Sequence, residues 1–328
     1  MKFSAKQIVS ALLSSLNDRQ RDILESRYGL VKQDCLTLAA IGDKYGITRE
    51  GIRRIEAQAL DKIRPNADKS EVKEFVKLVA SVLRSTGGVR HEAELVKDLA
   101  KLTGEKLSEA ILINYLRFVL EVGDAAKLHK DDKHFNDHWY LSKEDREKAV
   151  RFIDGLSKNL KNGNSAKDVK SPLAATYVSI SKKFATNAYG NFGLADSREI
   201  VPKGARDWAY LILKQDKKPM HFVELAERVN KLQNKDCHPQ TVHNELIKDN
   251  KFVLVGKGIY ALREHGYEPG VAWEVIHRLL KKNGPLHSHQ VVEAVNKERF
   301  FKRNTILINL QNRKYFKRAT DGRYTTLV

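Results

Sequence analysis

Cysteine is almost missing from this chain of 328 residues: Cys35 and Cys237 are the only two. Two thiols build neither a four-ligand zinc ribbon nor a disulfide scaffold, and such usage suits a reducing compartment. Long apolar runs are lacking too. The stretch from Ile8 to Leu16 is short and amphipathic, without a long apolar core or a cleavage pattern, so neither a signal peptide nor a membrane span is expected. A soluble cytoplasmic protein is. The sequence also has no glycine-rich phosphate loop, no nucleophile elbow and no cluster of nuclease carboxylates. No enzyme activity, cofactor or small-molecule substrate is therefore expected. Acidic residues are scarce against basic ones, 41 against 59, and the net charge of +18 suits a phosphate-bearing partner, although ribosomal and membrane-surface proteins share such a balance. The excess is strong at one end. Residues 270–328 hold six Lys and six Arg against three Glu and one Asp, a net of +8.

What the chain does contain begins with a helix-turn-helix pattern. Asn17-Asp18 caps a helix through Ile23, Leu24 and Tyr28 that closes at Gly29, and a second helix from Leu38 to Tyr45 ends at Gly46, the left-handed turn residue of a short helix connection. Ile47 anchors that turn. Thr48 is the expected N-cap of a third helix. At about 100° per residue, Ile52, Ile55, Ala59 and Ile63 fall on one arc of this helix and Arg49, Glu50, Arg53 and Arg54 on the other. One arc packs and the other reads DNA, with Arg49 and Glu50 in the first turn, where a recognition helix meets base edges.

The segments "LNDRQRDILESRYGL" and "LTLAAIGDKYGITREGIRRIEAQALDKIR", spanning Leu16 to Arg64, resemble region 4 of the primary, sigma-seventy-type bacterial sigma factors. The resemblance implies that Arg49, Glu50 and Arg54 face bases while Thr48 and Arg53 meet the DNA backbone. It also implies double-stranded DNA, and RNA polymerase core, as partners. Two positions depart: Gly51 stands where the family has a further arginine, and Arg54 where it has a base-reading glutamine. Glutamine favours adenine and arginine favours guanine, so a shifted site is expected. Gly51 costs the helix roughly 1 kcal/mol against alanine. In a complete sigma factor this module closes the chain, whereas here it is expected to open it, behind a short helix, with no melting module after Arg64.

An internal repeat follows. "GGVRHEAELVKDL" from Gly87, "KPMHFVELAERVN" from Lys218 and "GPLHSHQVVEAVN" from Gly284 share a Gly or Pro bend, a basic or His residue and an amphipathic helix. Short aromatic strand pairs close the units, at "KHFNDHWYLS", "GNFGLADSREI", "GKGIYALR" and "DGRYTTLV". This is winged-helix order. The expected fold is mainly α with small β-hairpin wings: a trihelical helix-turn-helix at 1–64, then tandem winged helices at 72–141, 143–203, 206–263 and 270–328. Linkers are expected at Pro65-Asn66-Ala67-Asp68 and from Glu264 to Pro269. The polar "KNGNSAKDVKSP" from Lys161 is kept inside the second winged unit. Residues 206–263 are similar to HARE-type winged helices, which occur in the delta subunit of bacterial RNA polymerase, in chromatin proteins and beside restriction enzymes; that implies a module on nucleic acid or polymerase and no particular chemistry.

Candidate third helices are Pro239 to Lys248, with Gln240, His243 and Asn244 as candidate DNA contacts, and Asn304 to Asn312, with Lys302, Arg303, Arg313 and Lys314 as backbone contacts. His129, His134 and His138 with Asp132 and Asp137 read as a solvated wing rather than a metal site. His91, His221, His287 and His289 read as capping or packing residues. The chain is thus expected to be a sequence-specific DNA-binding transcription protein. The alternatives are an adaptor docked on RNA polymerase and a DNA-binding accessory of a restriction or defence system.

Overall fold

A computed structural model describes residues 4–104, 106–162, 169 and 171–327. Helices dominate, joined by small antiparallel sheets of two or three strands, as the sequence pattern predicts. The chain divides into two compact units, 1–184 and 185–328.

The first unit opens with α1 (Ala5–Leu13), α2 (Asp18–Tyr28), α3 (Leu38–Tyr45) and α4 (Arg49–Ile63). The side chains of Asn17, Thr37 and Thr48 accept from the backbone amides of Gln20, Ala40 and Gly51, satisfying free N–H groups at three successive helix starts. Gly29 and Gly46 end α2 and α3 in the left-handed conformation. Within α3, a Cβ on Gly42 would stand 2.6 Å from the Ile47 carbonyl oxygen. Glycine at this position lets the turn fold back against the helix.

Next come α5 (Ser70–Ser85), β1 (Val89–His91), α6 (Glu92–Thr103), α7 (Glu109–Gly123), β2 (Lys127–His129) and β3 (His138–Tyr140). The sheet order is β1-β3-β2, with Trp139 opposite Arg90 on one side and Leu128 on the other. Glu92, almost fully buried, accepts two hydrogen bonds from Arg117, at 2.9 and 2.5 Å, and one from the Trp139 indole at 3.1 Å. The start of α6, the middle of α7 and the hairpin are pinned together around that carboxylate.

Residues 4–64 divide their buried side chains between two cores. Ile23, Ile41 and Ile52 make a small cluster inside the helix-turn-helix, but Leu12, Leu13, Leu24, Ala59 and Ile63 belong to a larger core with Val72, Val79, Leu95, Leu116 and Phe118. The expected linker at Pro65-Asn66-Ala67-Asp68 is accordingly a packed corner, a 3-10 helix over Arg64–Asp68. Asn66 donates to the Leu12 carbonyl at 2.9 Å and the Ser15 hydroxyl at 3.0 Å, and Lys69 to the Ala11 carbonyl at 3.1 Å. A polar stretch reads as a linker in sequence because its amide and amine groups need partners. Here α1 and the turn that follows it provide them.

The expected unit at 143–203 differs more. Its described helices, α8 (Lys143–Lys161) and α9 (Pro172–Ser179), pack on each other and on β1. Arg90 reaches Thr176 at 3.3 Å, and Tyr177 donates to the Gly87 carbonyl at 3.4 Å. The apolar face of α9 thus finds its partners in α8 and the sheet of residues 72–141, and the division into compact units falls within 143–203. Most of "KNGNSAKDVKSP", residues 163–168 and 170, lies outside the described residues. Strands β4 (Phe184–Thr186) and β5 (Phe192–Leu194) form a two-stranded sheet.

In the second unit the order helix, strand, two helices, hairpin occurs twice. The first copy is α10 (Ala205–Asp216), β6 (Met220–His221), α11 (Phe222–Gln233), α12 (Pro239–Ile247), β7 (Phe252–Gly256) and β8 (Ile259–Leu262), with sheet order β6-β8-β7. The second is α13 (Ala272–Asn283), β9 (Leu286–His287), α14 (Ser288–Glu298), α15 (Arg303–Leu310), β10 (Phe316–Arg318) and β11 (Arg323–Thr326), with sheet order β10-β11-β9. Each has its own apolar core. The expected linker after β8 is tied down. Tyr210 donates to Glu264 at 3.0 Å, and Arg299, 1% exposed, donates to the Leu254 carbonyl at 2.8 Å and to the Glu268 carbonyl. Phe300 adds a backbone bond from its amide to the Val255 carbonyl, 2.8 Å.

Candidate nucleic-acid interface

The face expected to read DNA is displayed on α4. Ile52, Ala59 and Ile63 are fully buried and Ile55 half-buried, whereas Thr48, Arg49, Glu50, Arg53 and Arg54 are exposed. Burial of the apolar arc fixes the rotation of the helix, so the polar arc is presented to solvent by the same packing that holds the fold. Glu50 lies at the centre of the charge pattern. Arg53 donates to both its oxygens, at 2.9 and 2.7 Å, and the Arg54 guanidinium is 3.8 Å away. The hydrogen bonds from Arg53 hold the Glu50 carboxyl below the usual carboxylate range. It therefore stays an acceptor, suited to the exocyclic amine of cytosine, and Arg53 must be shared between Glu50 and any phosphate it meets. Arg49 and Arg54 keep most of their donors free. At Gly51 a Cβ would meet the Thr48 hydroxyl at 3.4 Å and the Ile47 side chain at 3.7 Å, ordinary contact distances, so packing does not demand glycine there.

The supporting helices are held by charge. Asp22 on α2 takes Lys44 at 2.5 Å and the Tyr45 hydroxyl, both from α3, and Arg27 meets Glu56 on α4 at 3.3 Å. Lys44, then Tyr45, keeps the Asp22 carboxyl low.

Three later helices occupy the third position of a helix, strand, two-helix, hairpin unit, and their faces differ. Helix α7 is spent inside the first unit: Asn114, Tyr115, Leu116, Phe118 and Val119 are buried, Asn114 donates to the carbonyls of Gly29 and Gln33 at 3.0 and 2.9 Å, and Phe118 meets the Tyr28 ring edge-on at 5.1 Å. It cannot enter a groove. On α12, Gln240 and Asn244 are exposed but hydrogen-bond each other at 3.2 Å, and Lys248 is paired with Glu245 at 3.0 Å. His243 is not a free contact. It is half-buried between Phe222 and Tyr260, sharing a hydrogen bond with the Tyr260 hydroxyl at 3.0 Å, because its position faces the aromatic side of the wing. Around α15, Lys302, Arg303, Arg313 and Lys314 are all exposed, and Lys302 occupies the N-cap position.

The histidine-rich hairpin is only partly a solvated wing. His138 is fully buried, its ring 4.8 Å from His129 and 5.9 Å from Phe135, and its Nδ1 bonds the Asn136 carbonyl at 2.7 Å. Burial pushes its pKa down to about 4. His129 bonds Asp132 at 2.9 Å, and Asp132 accepts the backbone amides of His134 and Phe135, which hold its carboxyl well below the usual range. Among the described residues no group of three or more His, Cys, Asp or Glu side chains has the arrangement to hold a metal. His221 caps its helix, accepting from the Val223 amide at 3.3 Å, whereas the His91 side chain caps none; at His287 the backbone amide donates to Gln290 at 2.9 Å, and its ring stacks on that of His289. Among the described residues no helix is long and apolar enough to cross a membrane.

Sequence reasoning missed four residues that hold these elements in place. Asn114 interrupts the apolar run "AILINYLRFVL", and a lone amide in such a run signals a buried polar partner. Glu92 and Arg117, 25 residues apart, give no local signal. Nor does Arg299, one of many basic residues in its region.

A helix-turn-helix whose second helix buries isoleucines and exposes an Arg-Glu-Arg-Arg face has the arrangement that a DNA-reading module needs. Residues 12–65 match the family described as Sigma-70, region 4, four residues further toward the N-terminus than the motif alone suggests. Over the same region the chain is 42% identical to RNA polymerase sigma factor SigA1 of Synechococcus elongatus, across 72 residues that make up 22% of this chain and 18% of the relative. It is 38% identical to SigA of Listeria monocytogenes across 71 residues, 22% of this chain and 19% of that one. SigA of Microcystis aeruginosa gives 44% across 66 residues, 20% and 16% of the two chains. The chain thus spans less than a fifth of the length of these relatives.

Proposed function

We propose that this protein is a sequence-specific DNA-binding transcription protein, not an enzyme, that reads duplex DNA with α4 and works in the cytoplasm on the nucleoid. The observation that carries the reading is the arrangement of α4: Thr48 caps it, Ile52, Ala59 and Ile63 are buried beneath it, and Arg49, Glu50, Arg53 and Arg54 are exposed on top. Similarity of residues 12–65 to sigma region 4 supports the same helix as the reader. Arg49, Glu50 and Arg54 meet base edges; Thr48 and Arg53 meet phosphates. The units at 72–141, 206–263 and 270–328 are winged helices, the middle one of HARE type. Unit 270–328 extends the footprint along the backbone through Lys302, Arg303, Arg313 and Lys314, while unit 72–141 has given its third helix to the support of the head.

A second reading has its own support: the relatives are named as RNA polymerase sigma factors. The head then also docks on polymerase core and competes there with a resident sigma factor. The test is duplex binding over a salt series, with the intact chain and a chain ending at residue 269, beside promoter opening by core enzyme and this protein alone. The proposal expects binding that falls steeply with salt, at a slope of roughly 0.9 per neutralised phosphate, a shallower slope for the shortened chain, and no open complex. Strong core binding with no preference among DNA sequences would favour the adaptor, and open complexes formed without added sigma factor would overturn the regulator reading.

A further inference from the structure

We infer that α15 is a second base-reading helix, one that selects A·T pairs through the amides of Asn304 and Gln311 and the apolar side chain of Ile308. The inference rests on the reading of the chain as a DNA-binding protein and adds a site to it. Helix α15 turns Ile306 and Leu310 into the core of its unit and Leu307 against it. At 100° per residue the opposite arc holds Asn304, Thr305, Ile308 and Gln311, with Ile308 near its centre. Ile308 is 67% exposed. It is a branched apolar side chain at the centre of an otherwise polar face. It suits a surface that meets the C5-methyl group of thymine.

Neighbouring side chains decide the partner. Lys302, Arg303, Arg313, Lys314, Lys317 and Arg318 are exposed at the two ends of α15 and on β10, and none has a carboxylate partner among the described residues. Lys314 lies over the Tyr315 ring and Arg318 over the Tyr324 ring, so two of the six are steadied by aromatic faces that leave their charge free. The uncharged reading arc is thus framed by cations. Phosphates flanking a major groove have the complementary pattern, negative on both sides of a floor of base edges. Asn304 and Gln311 make no side-chain hydrogen bond among the described residues, whereas Asn309 spends its amide on the Thr305 carbonyl at 2.8 Å. Free amides at those two positions have the donor and acceptor pair that adenine's N7 and N6 edge takes. Neither α7, buried, nor α12, whose amides pair with each other, offers this.

The experiment uses the full chain and duplexes selected from a random pool, followed by binding to the selected duplex with thymine replaced by uracil. The expected result is a bipartite motif whose A·T part disappears in Asn304→Ala and Ile308→Ala while the part read by α4 persists; Arg49→Ala does the reverse. Uracil should weaken the intact chain about fourfold, the effect of one lost methyl contact, and leave Ile308→Ala unchanged. These side chains are exposed, so the variants keep their fold, which circular dichroism checks. A motif unchanged by Asn304→Ala and Ile308→Ala, with affinity lost only in Lys302→Ala and Arg313→Ala, would overturn base reading and leave α15 a backbone contact. Absence of any selected motif in the intact chain would overturn the DNA-binding reading itself, and this inference with it.

Discussion

Asn114 on α7 donates its side-chain amide to the carbonyl of Gly29, the residue that ends α2, at 3.0 Å, and to that of Gln33 at 2.9 Å. A single side chain from the second half of the first unit thereby closes the loop that leads into the helix-turn-helix. Gln33 returns a bond to Ser108 at 2.7 Å. The head and residues 70–141 are one folding unit.

A fragment of residues 1–64 should therefore fail to fold stably, because Leu12, Leu13, Leu24, Ala59 and Ile63 would lose the partners that cover them in the intact chain. Residues 1–184 should fold. Urea titrations followed by circular dichroism check this: a cooperative transition in the longer fragment and none, or one at very low urea, in the shorter. Equal midpoints would show that the head has an independent core.

Within the intact chain, Asn114→Ala should cost about 1–3 kcal/mol, the penalty for leaving buried polar groups unsatisfied. Gly29→Ala should cost a similar amount by another route. Gly29 has φ +64°, and a Cβ there would stand 2.6 Å from both the Asn114 amide and the Gln33 carbonyl oxygen. Thermal denaturation of the two single variants and the double variant should show non-additive losses, since both act on one contact. Fully additive losses would mean that the two residues act separately.

Much of this arrangement is legible in the sequence, and the rest is hidden for identifiable reasons. Caps at Asn17 and Thr48, glycine ends at Gly29 and Gly46, and the two arcs of α4 follow from local rules acting over three or four residues. Long-range choices do not. Nothing near Pro172 tells that α9 will cover β1, and nothing near Pro65 tells that Asn66 will find Leu12 and Ser15. His243 reads as an exposed polar residue until the wing brings Tyr260 against it.

His138 gives the first unit a pH dependence of known sign. Its pKa falls from 6.5 to about 4 on burial, so the unfolded chain binds the extra proton first and stability should be lost as pH drops from about 6.5 toward 4. His129 and Arg146, whose side chains bond each other at 3.3 Å, oppose a charge on His138, while Asp132 favours one. Between pH 7 and 5 the melting temperature of His138→Phe should fall less than that of the intact chain. Parallel profiles would mean that another group titrates.

In the second unit Arg299→Met should uncouple two bodies. The guanidinium ties Leu254 in the hairpin of one copy to Glu268 ahead of the next. Calorimetry should show one transition for residues 185–328 split into two, with a loss of about 1–3 kcal/mol from carbonyls left without a donor. A single transition at the original temperature would remove Arg299 from the coupling.

If the exposed arc of α4 reads bases, selection from random duplexes by the intact chain and by Arg54→Gln will show it. The prediction is one enriched motif for each protein, alike except at one position, where guanine in the first gives way to adenine in the second. The same motif from both proteins, or no motif from either, would contradict it.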